Sequence, residues 1–283
     1  MNALLNITQQ DPQALAYAVQ QAKQQGWDPG LDDADTMCTA DTKGFFLAKL
    51  NNHIIACASA VCYDASFAFF GFYIVASAYR GQGYGWQLTQ RRLQYVGDRC
   101  VGLDGVLENQ SMYAKIGFKK AFISKRHEIN TQSLAQQPSD PAVHIFSDAD
   151  EKALFRYDRY CFPAARDNFL RAWIHAPHAQ CFCYRQGDDI LGYVVIRQCY
   201  HGYKIGPLFA DSSSVAQALL LTALQHSNRQ TVYIDVPEYN TAAQTLMDGL
   251  KTKVHFACAR MYRGGQPDVD LMRIYGISSF ELG

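Results

Sequence analysis

Apolar and polar positions divide the chain into two successive runs of similar elements. Residues 12–25 carry apolar side chains at helical spacing, and Gly26 ends that helix. Trp27-Asp28-Pro29-Gly30 then reads as a turn, because Gly and Pro supply its special backbone angles. Residues 31–42 are acidic and small, a loop with at most one helical turn. Residues 44–50 and 53–63 form a hairpin around Asn51-Asn52, and 66–75, rich in Phe and Tyr, is the next strand. Residues 83–96 return to helical spacing, with Trp86, Thr89, Leu93 and Val96 on one stripe. A buried strand at 100–107, a short helix at 111–116 stopped by Gly117, and a strand at 118–129 complete the first run.

The second run is a diluted copy. A hairpin (181–185 and 190–198, around Gly187-Asp188-Asp189) precedes a strand at 203–209 and a helix at 215–227. A strand at 232–236, a helix at 241–250 and a strand at 256–262 follow. The order hairpin, strand, helix, strand, helix, strand therefore occurs twice, which points to duplication of one α/β unit; the alternative is chance recurrence of a common order. Between the runs, residues 131–141 hold Gln, Ser, Asp and two prolines around an isolated Leu134. This places domains at 1–132 and 141–283, with a linker at 133–140.

Composition narrows the function classes. Of 283 residues, 48% are hydrophobic and 18% charged, enough apolar material for two cores. Lys plus Arg and Asp plus Glu are 26 each, so the basic excess of a nucleic-acid binder is missing. The opening residues lack a secretory pattern, no apolar run is long enough to span a membrane, and the nine cysteines are odd in number and scattered. Reduced thiols in a cytoplasmic protein fit this usage. Cys181 and Cys183 share one strand face, but the eight histidines show no metal-ligand spacing, so no metal is expected.

One segment carries chemistry. After the strand ending Tyr73-Ile74-Val75 comes Arg80-Gly81-Gln82-Gly83-Tyr84-Gly85-Trp86, three glycines at alternate positions opening a helix. Glycine lets the backbone turn and approach a ligand, and the free amides of a first helical turn attract an anion. A nucleotide-hydrolase loop would need Gly-Lys-Ser/Thr, and the dinucleotide fingerprint Gly-x-Gly-x-x-Gly; neither is present. Taken alone, the glycines also fit a plain strand-to-helix turn.

Arg80 to Gly85 resembles the Arg/Gln-x-x-Gly-x-Gly/Ala pattern of the GNAT superfamily of acyl-CoA N-acyltransferases. Tyr113-Ala114-Lys115-Ile116-Gly117-Phe118 resembles that superfamily's Tyr-x-x-x-Gly-Phe close. The order of the two motifs, Gly26 to Gly30, Gly71 to Val75, Gly102-Leu103-Asp104-Gly105, Arg263-Gly264-Gly265 and Tyr275 to Glu281 extend the likeness over nearly the whole chain. They match a bacterial two-domain subgroup in which a typical domain precedes a degenerate one. The resemblance implies an α/β (α+β) protein of two tandem GNAT-like domains, each a mixed, mostly antiparallel sheet flanked by helices.

It also implies a site. Coenzyme A diphosphate would rest on the amides of Gln82 to Trp86, pantetheine would pair with Tyr73, Ile74 and Val75, and Asn109 would contact pantetheine. Val75 would offer an oxyanion donor. Tyr113 is the candidate acid for the leaving thiolate, or else a ring packed beneath the cofactor. Many members place a glutamate on the strand before the loop, whereas Phe72 to Val75 is non-acidic. Asp104 is then the nearest base; alternatively it pins its own backbone while water removes the proton. Trp27, Asp33 and Asp35, with Asp32, would shape an acceptor pocket attractive to a cationic amine, or form a solvated loop. Ala210 to Ser214 replaces the glycine loop in the second half, which should not bind coenzyme A; there Arg166, Trp173, Glu238 and Tyr239 are candidates for substrate contact. The implied activity is transfer of acetyl from acetyl-CoA to a primary amine of a small molecule, by a monomer or homodimer without membrane or nucleic-acid partners. An acetyl-CoA or amine sensor and a protein lysine acetyltransferase are the alternatives.

Overall fold

The structure is a computed structural model describing residues 5–133 and 140–283. Strand β1 (Leu5–Gln9) is followed by α1 (Ala14–Gln24), the single turn α2 (Asp33–Thr36), and strands β2 (Phe45–Leu50) and β3 (His53–Cys62). Asn51 and Asn52 join the last two with φ of 48° and 65°. Successive left-handed residues match the twist of a hairpin, and asparagine tolerates that region. The first half continues with β4 (Phe67–Val75), α3 (Tyr84–Val96), β5 (Cys100–Val106), α4 (Gln110–Ala114) and β6 (Lys119–Ile129). In the second half, β7 (Val143–Ile145), α5 (Glu151–Cys161) and α6 (Asp167–Ile174) lead into β8 (Ala179–Gln186), β9 (Asp189–Gln198) and β10 (Tyr203–Ala210). Then come α7 (Ser213–His226), β11 (Val232–Pro237), α8 (Thr241–Gly249), β12 (Lys253–Arg263) and β13 (Ile274–Gly276). The repeated order is present, and β1, β7, β13, α5 and α6 add to it.

Among the described residues the strands form one sheet in the order β1-β2-β3-β4-β5-β12-β6-β11-β10-β9-β8-β7, with β13 paired to β10. The two expected mixed sheets are thus fused, and their last strands are exchanged. β12, from the second half, lies between β5 and β6; β6, from the first, lies between β12 and β11. The linker expected at 133–140 falls outside the described residues except at its two ends. No helix among the described residues is long and apolar enough to cross a membrane.

Each half contains one short parallel pair. β4 meets β5 only over Phe67–Phe70 against Cys100–Leu103, and β10 meets β11 only over Tyr203–Ile205. Beyond these residues the strands part. β4 also bulges: Phe72 has φ 46°, and the register with β3 shifts between Cys57 and Ser59. In the second half the opening is filled from within, because β13 pairs with Leu208 and Phe209 and the Ile277 amide donates to the Asp235 carbonyl at 3.0 Å. In the first half it stays open.

The two faces of the first sheet differ. Phe46, Ala48, Phe70 and Leu103 pack beneath α3, while Phe45, Leu47, Phe72 and Ile74 face α1 and the second half's α5 and α6. The buried stripe of α3 is Leu88, Thr89, Arg92 and Val96; Trp86, expected on it, is 51% exposed. A buried arginine breaks the apolar pattern that sequence reading depends on. Its guanidinium lies 3.8 Å over the Phe70 ring, and its Nε donates to the Ser59 carbonyl at 2.8 Å.

Candidate active site

The loop between β4 and α3 explains each glycine separately. Gly81 and Gly83 have φ of 74° and 84°, a region side chains avoid, and Gly83 is the N-cap of α3 with no side chain over the first turn. At Gly85 an added Cβ would collide with the Tyr73 hydroxyl. Arg80 and Gln82 brace the loop, donating to the Val75 and Ala78 carbonyls at 2.8 Å each. Among the described residues, the amides of 81–86 donate no hydrogen bond within the protein. Six free amides at the positive end of a helix form an anion site. The counterpart in the second half is closed: Ser212 caps α7, accepting from the Val215 amide at 3.4 Å, and Asp211 accepts from Tyr157 at 2.6 Å and pairs with Arg273 at 3.2 Å.

Where β4 and β5 part, a cleft holds about 680 Å³ of non-atom space, some of it open solvent. It passes through the sheet. On the α3 face it is lined by Tyr73, Arg92, Asn109 and Tyr113; on the opposite face by Trp27, Phe256, Cys258, Phe280 and Glu281. The exchanged strand β12 and the C-terminal tail therefore supply much of the second face.

Tyr113 lies against Gly105, where an added Cβ would approach the ring to 2.7 Å, and its edge meets Phe118 at 6.1 Å between centroids. Gly105 and Phe118 thus fix the ring. Among the described residues its hydroxyl makes no hydrogen bond. Burial pushes the phenol above its ordinary value, and the Arg92 guanidinium acts in the opposite direction. The phenol therefore stays protonated at neutral pH, ready to donate. Asn109 stands in the same wall, its side chain capping nothing.

Asp104 also lines the cleft, but Arg260 engages both its oxygens, at 2.8 and 2.7 Å, and the carboxylate is 0% exposed. Burial pushes the Asp104 carboxyl upward while Arg260 pulls it back; Asp104 in turn holds the guanidinium above its ordinary value despite burial. This pair spans β5 and the exchanged β12.

Trp27 reaches the cleft, and its carbonyl accepts from Lys204 Nζ at 2.7 Å and from Arg126 at 3.2 Å. The acidic loop does not. Asp33 is buried, accepting from the Gly30 amide at 2.7 Å and pairing with Arg197 at 3.1 Å, and Asp35 is exposed. Asp32 binds His178 and Asp28 binds His201. These carboxylates clasp the two halves together, which physically occupies the charge expected to attract an amine. Arg166, Trp173, Glu238 and Tyr239 lie outside the cleft lining as well. Arg166 pairs with Asp158 and donates to Ser278 Oγ at 2.8 Å, Trp173 donates to the Gly206 carbonyl, Glu238 accepts from the Ile123 amide, and Tyr239 packs on Phe122.

Sequence reasoning missed three charged groups of the cleft, Arg92, Arg126 and Glu281. Arg92 follows Arg91 and Arg126 sits within Lys125-Arg126-His127-Glu128, so both read as surface charge, and Glu281 is one charge in a short apolar segment. Near Cys183, His144 and Asp150 bring possible metal-ligand atoms within 4.8 Å of one another. Both Asp150 oxygens are already engaged, by Ser147 and His144 and by Arg185 at 2.7 Å, so the cluster is held together by its own ion pairs.

Comparison with known proteins agrees with this architecture. Residues 4–118 match the acetyltransferase (GNAT) family and residues 154–276 an acetyltransferase (GNAT) domain. The chain is 31% identical over 261 residues to the holothin acyltransferase of Pseudoalteromonas sp. (strain SANK 73390), covering 91% of this chain and 87% of the relative. Among solved structures, a Pyrococcus horikoshii protein assigned as an acetyltransferase superposes with a TM-score of 0.82 at 22% identity, over 99% of this chain and 96% of that one. A tandem GNAT protein from the clavulanic acid biosynthesis pathway gives 0.64 at 11% identity, over 94% and 100%. With a loop of free amides, a strand opening beside it and two matching halves, the chain belongs to the GNAT family of acyltransferases, as an enzyme of the tandem-domain kind.

Proposed function

We propose that the protein transfers an acetyl group from acetyl-CoA to the primary amine of a small molecule, and that only the first half binds the donor. The diphosphate sits on the amides of Gln82 to Trp86, and pantetheine lies along Tyr73 to Val75, the edge of β4 that β5 leaves unpaired. The thioester then reaches the cleft through the sheet, where Tyr113 protonates the departing thiolate. Asn109 holds the pantetheine end, and the Val75 amide polarises the carbonyl. Asp104 acts as a strut rather than as the base, since both its oxygens are committed to Arg260.

The carrying observation is the continuity of the cleft from Tyr113 and Arg92 on one face to Trp27 and Phe280 on the other. Donor and acceptor can approach the same point from opposite sides. Its size suits a small acceptor, and the relative named for a single compound, holothin, supports that choice. The test is calorimetric binding of coenzyme A together with release of free thiol from acetyl-CoA over a panel of amines. Binding without turnover on any amine or peptide would favour a sensor; turnover only on lysine peptides would move the acceptor to protein.

A further inference from the structure

The second half's opening between β10 and β11 holds no ligand loop; it holds β13. From there the chain turns back toward the first half's cleft, and the turn is fastened along its length. Arg166 donates to Ser278 Oγ at 2.8 Å, the Leu282 amide donates to Ser279 Oγ at 3.1 Å, and Tyr63 donates to the Leu282 carbonyl at 2.8 Å. Leu282 is fully buried, and Phe280 packs on Phe256 with centroids 5.9 Å apart. At Gly71, on the β4 bulge, an added Cβ would collide with the Glu281 carbonyl oxygen. The glycine is what allows the tail to lie against the opening.

This fastening fixes Glu281 in the wall of the active cleft, on the face away from the phosphate loop. It is 8% exposed, and among the described residues its carboxylate makes no hydrogen bond or ion pair, although Arg126, Arg197 and Lys204 lie close enough to act on it electrostatically. The neighbouring charges do have partners. Arg126 is bidentate to Asp235 at 2.7 and 2.8 Å, Asp104 to Arg260, Arg197 is taken by Asp33, and Lys204 by the Trp27 carbonyl. The Glu281 oxygens therefore open to the cleft with their hydrogen-bonding capacity unspent, and an arriving ammonium can take it up.

We propose that Glu281 receives the acceptor amine: the enzyme selects acceptors carrying an aliphatic ammonium, and Glu281 is the group that binds it and takes its proton. The inference rests on the transfer reaction proposed above and names its acceptor-side residue. An aliphatic ammonium has a pKa of roughly 10 and must lose a proton before it can attack. That proton passes to Glu281. The free amine then adds to the thioester carbonyl carbon, the C–N bond forms and the C–S bond breaks. The departing thiolate takes the phenolic proton of Tyr113, and Tyr113 recovers one from the acylated nitrogen. The proton on Glu281 leaves to solvent with the products, so the sum is an amide, a thiol and one proton.

The test compares wild type with Glu281→Gln on the full chain, using acetyl-CoA and matched amine pairs of which benzylamine and aniline are the first. Benzylamine is an ammonium at neutral pH; aniline is not. The expected result is a fall in kcat/KM of about 100-fold or more for the alkylamines. The arylamines should change by less than about 3-fold, with coenzyme A affinity and Tm unaltered. Alkylamine transfer within about 3-fold of wild type overturns the proposal, as does an equal loss on both amine classes. A wild-type protein that transfers acetyl to no amine overturns the underlying reaction instead.

Discussion

Replacing Asp104 with Asn separates the strut from the base. In the folded protein Arg260 is buried, its guanidinium held by the two Asp104 oxygens and shared with Tyr262 at 3.4 Å. The substitution removes the countercharge and leaves the arginine stranded, which typically costs about 3–5 kcal/mol. For a chain of this size, each kcal/mol moves Tm by roughly 2–4 °C, so a drop of roughly 6–20 °C is expected. The pair joins β5 to the exchanged β12, so the damage falls on the cleft wall and transfer weakens indirectly. A second variant isolates the cause. Asp104→Leu with Arg260→Met removes both charges, and apolar replacement of a buried pair is often neutral or stabilising. Thermal denaturation and acyl transfer, the latter measured well below either Tm, are the assays. Tm and transfer should fall in Asp104→Asn and recover together in the double variant. Abolished transfer at unchanged Tm, unrepaired by the double variant, would refute the strut and return Asp104 to the role of base.

Tyr113→Phe should lower kcat by about 10²–10⁴-fold while coenzyme A affinity stays within about 2-fold, as calorimetry and single-turnover rates would show; unchanged kcat removes Tyr113 as the acid. Gly105→Ala should imitate it in part, since the new methyl meets the Tyr113 ring at 2.7 Å and shifts it; a normal rate would mean that ring position is unimportant. Gly83→Ala forces a side chain to φ 84°, so coenzyme A should bind about 10-fold more weakly in calorimetry, and full affinity would contradict the amide cradle. Burial holds His127 below the usual histidine value near 6.5, so the unfolded chain takes up a proton there first as pH falls. Its contribution to stability is complete above about pH 6.5 and declines below it. Urea midpoints at pH 7.5 and 5.5 should therefore differ less in the His127→Asn variant, and an identical drop rejects the assignment.

Local chemistry was legible where a backbone constraint writes itself into residue type. The turn at Asn51-Asn52 and the glycines at 81 and 83 are left-handed positions, and 85 is a close approach; each demands a particular residue. Tyr113 was legible because its short helix ends in a glycine of positive φ, Gly117. The exchange of β6 and β12 was not legible, since an interior strand reads the same whichever sheet receives it. Nor was the role of the acidic loop. A run of aspartates marks negative charge but not its partners, and Asp28, Asp32 and Asp33 find theirs in His201, His178 and Arg197, well over a hundred residues away.

The second half gains a definite role from this geometry. A duplicated unit that loses the glycine loop no longer attracts a diphosphate, and α7 shows the outcome: a serine caps the helix and an aspartate stands where an anion would lie. The opening between β10 and β11 would then expose two unpaired strand edges, an unfavourable arrangement in a sheet interior. β13 satisfies them by pairing as an extended ligand would, and in doing so anchors the segment that lies against the neighbouring cleft. Under the proposed function, loss of cofactor binding in one half and construction of the acceptor wall in the other are two results of a single strand addition. Substitutions that loosen β13 should therefore reduce transfer to alkylamines before they reduce affinity for coenzyme A.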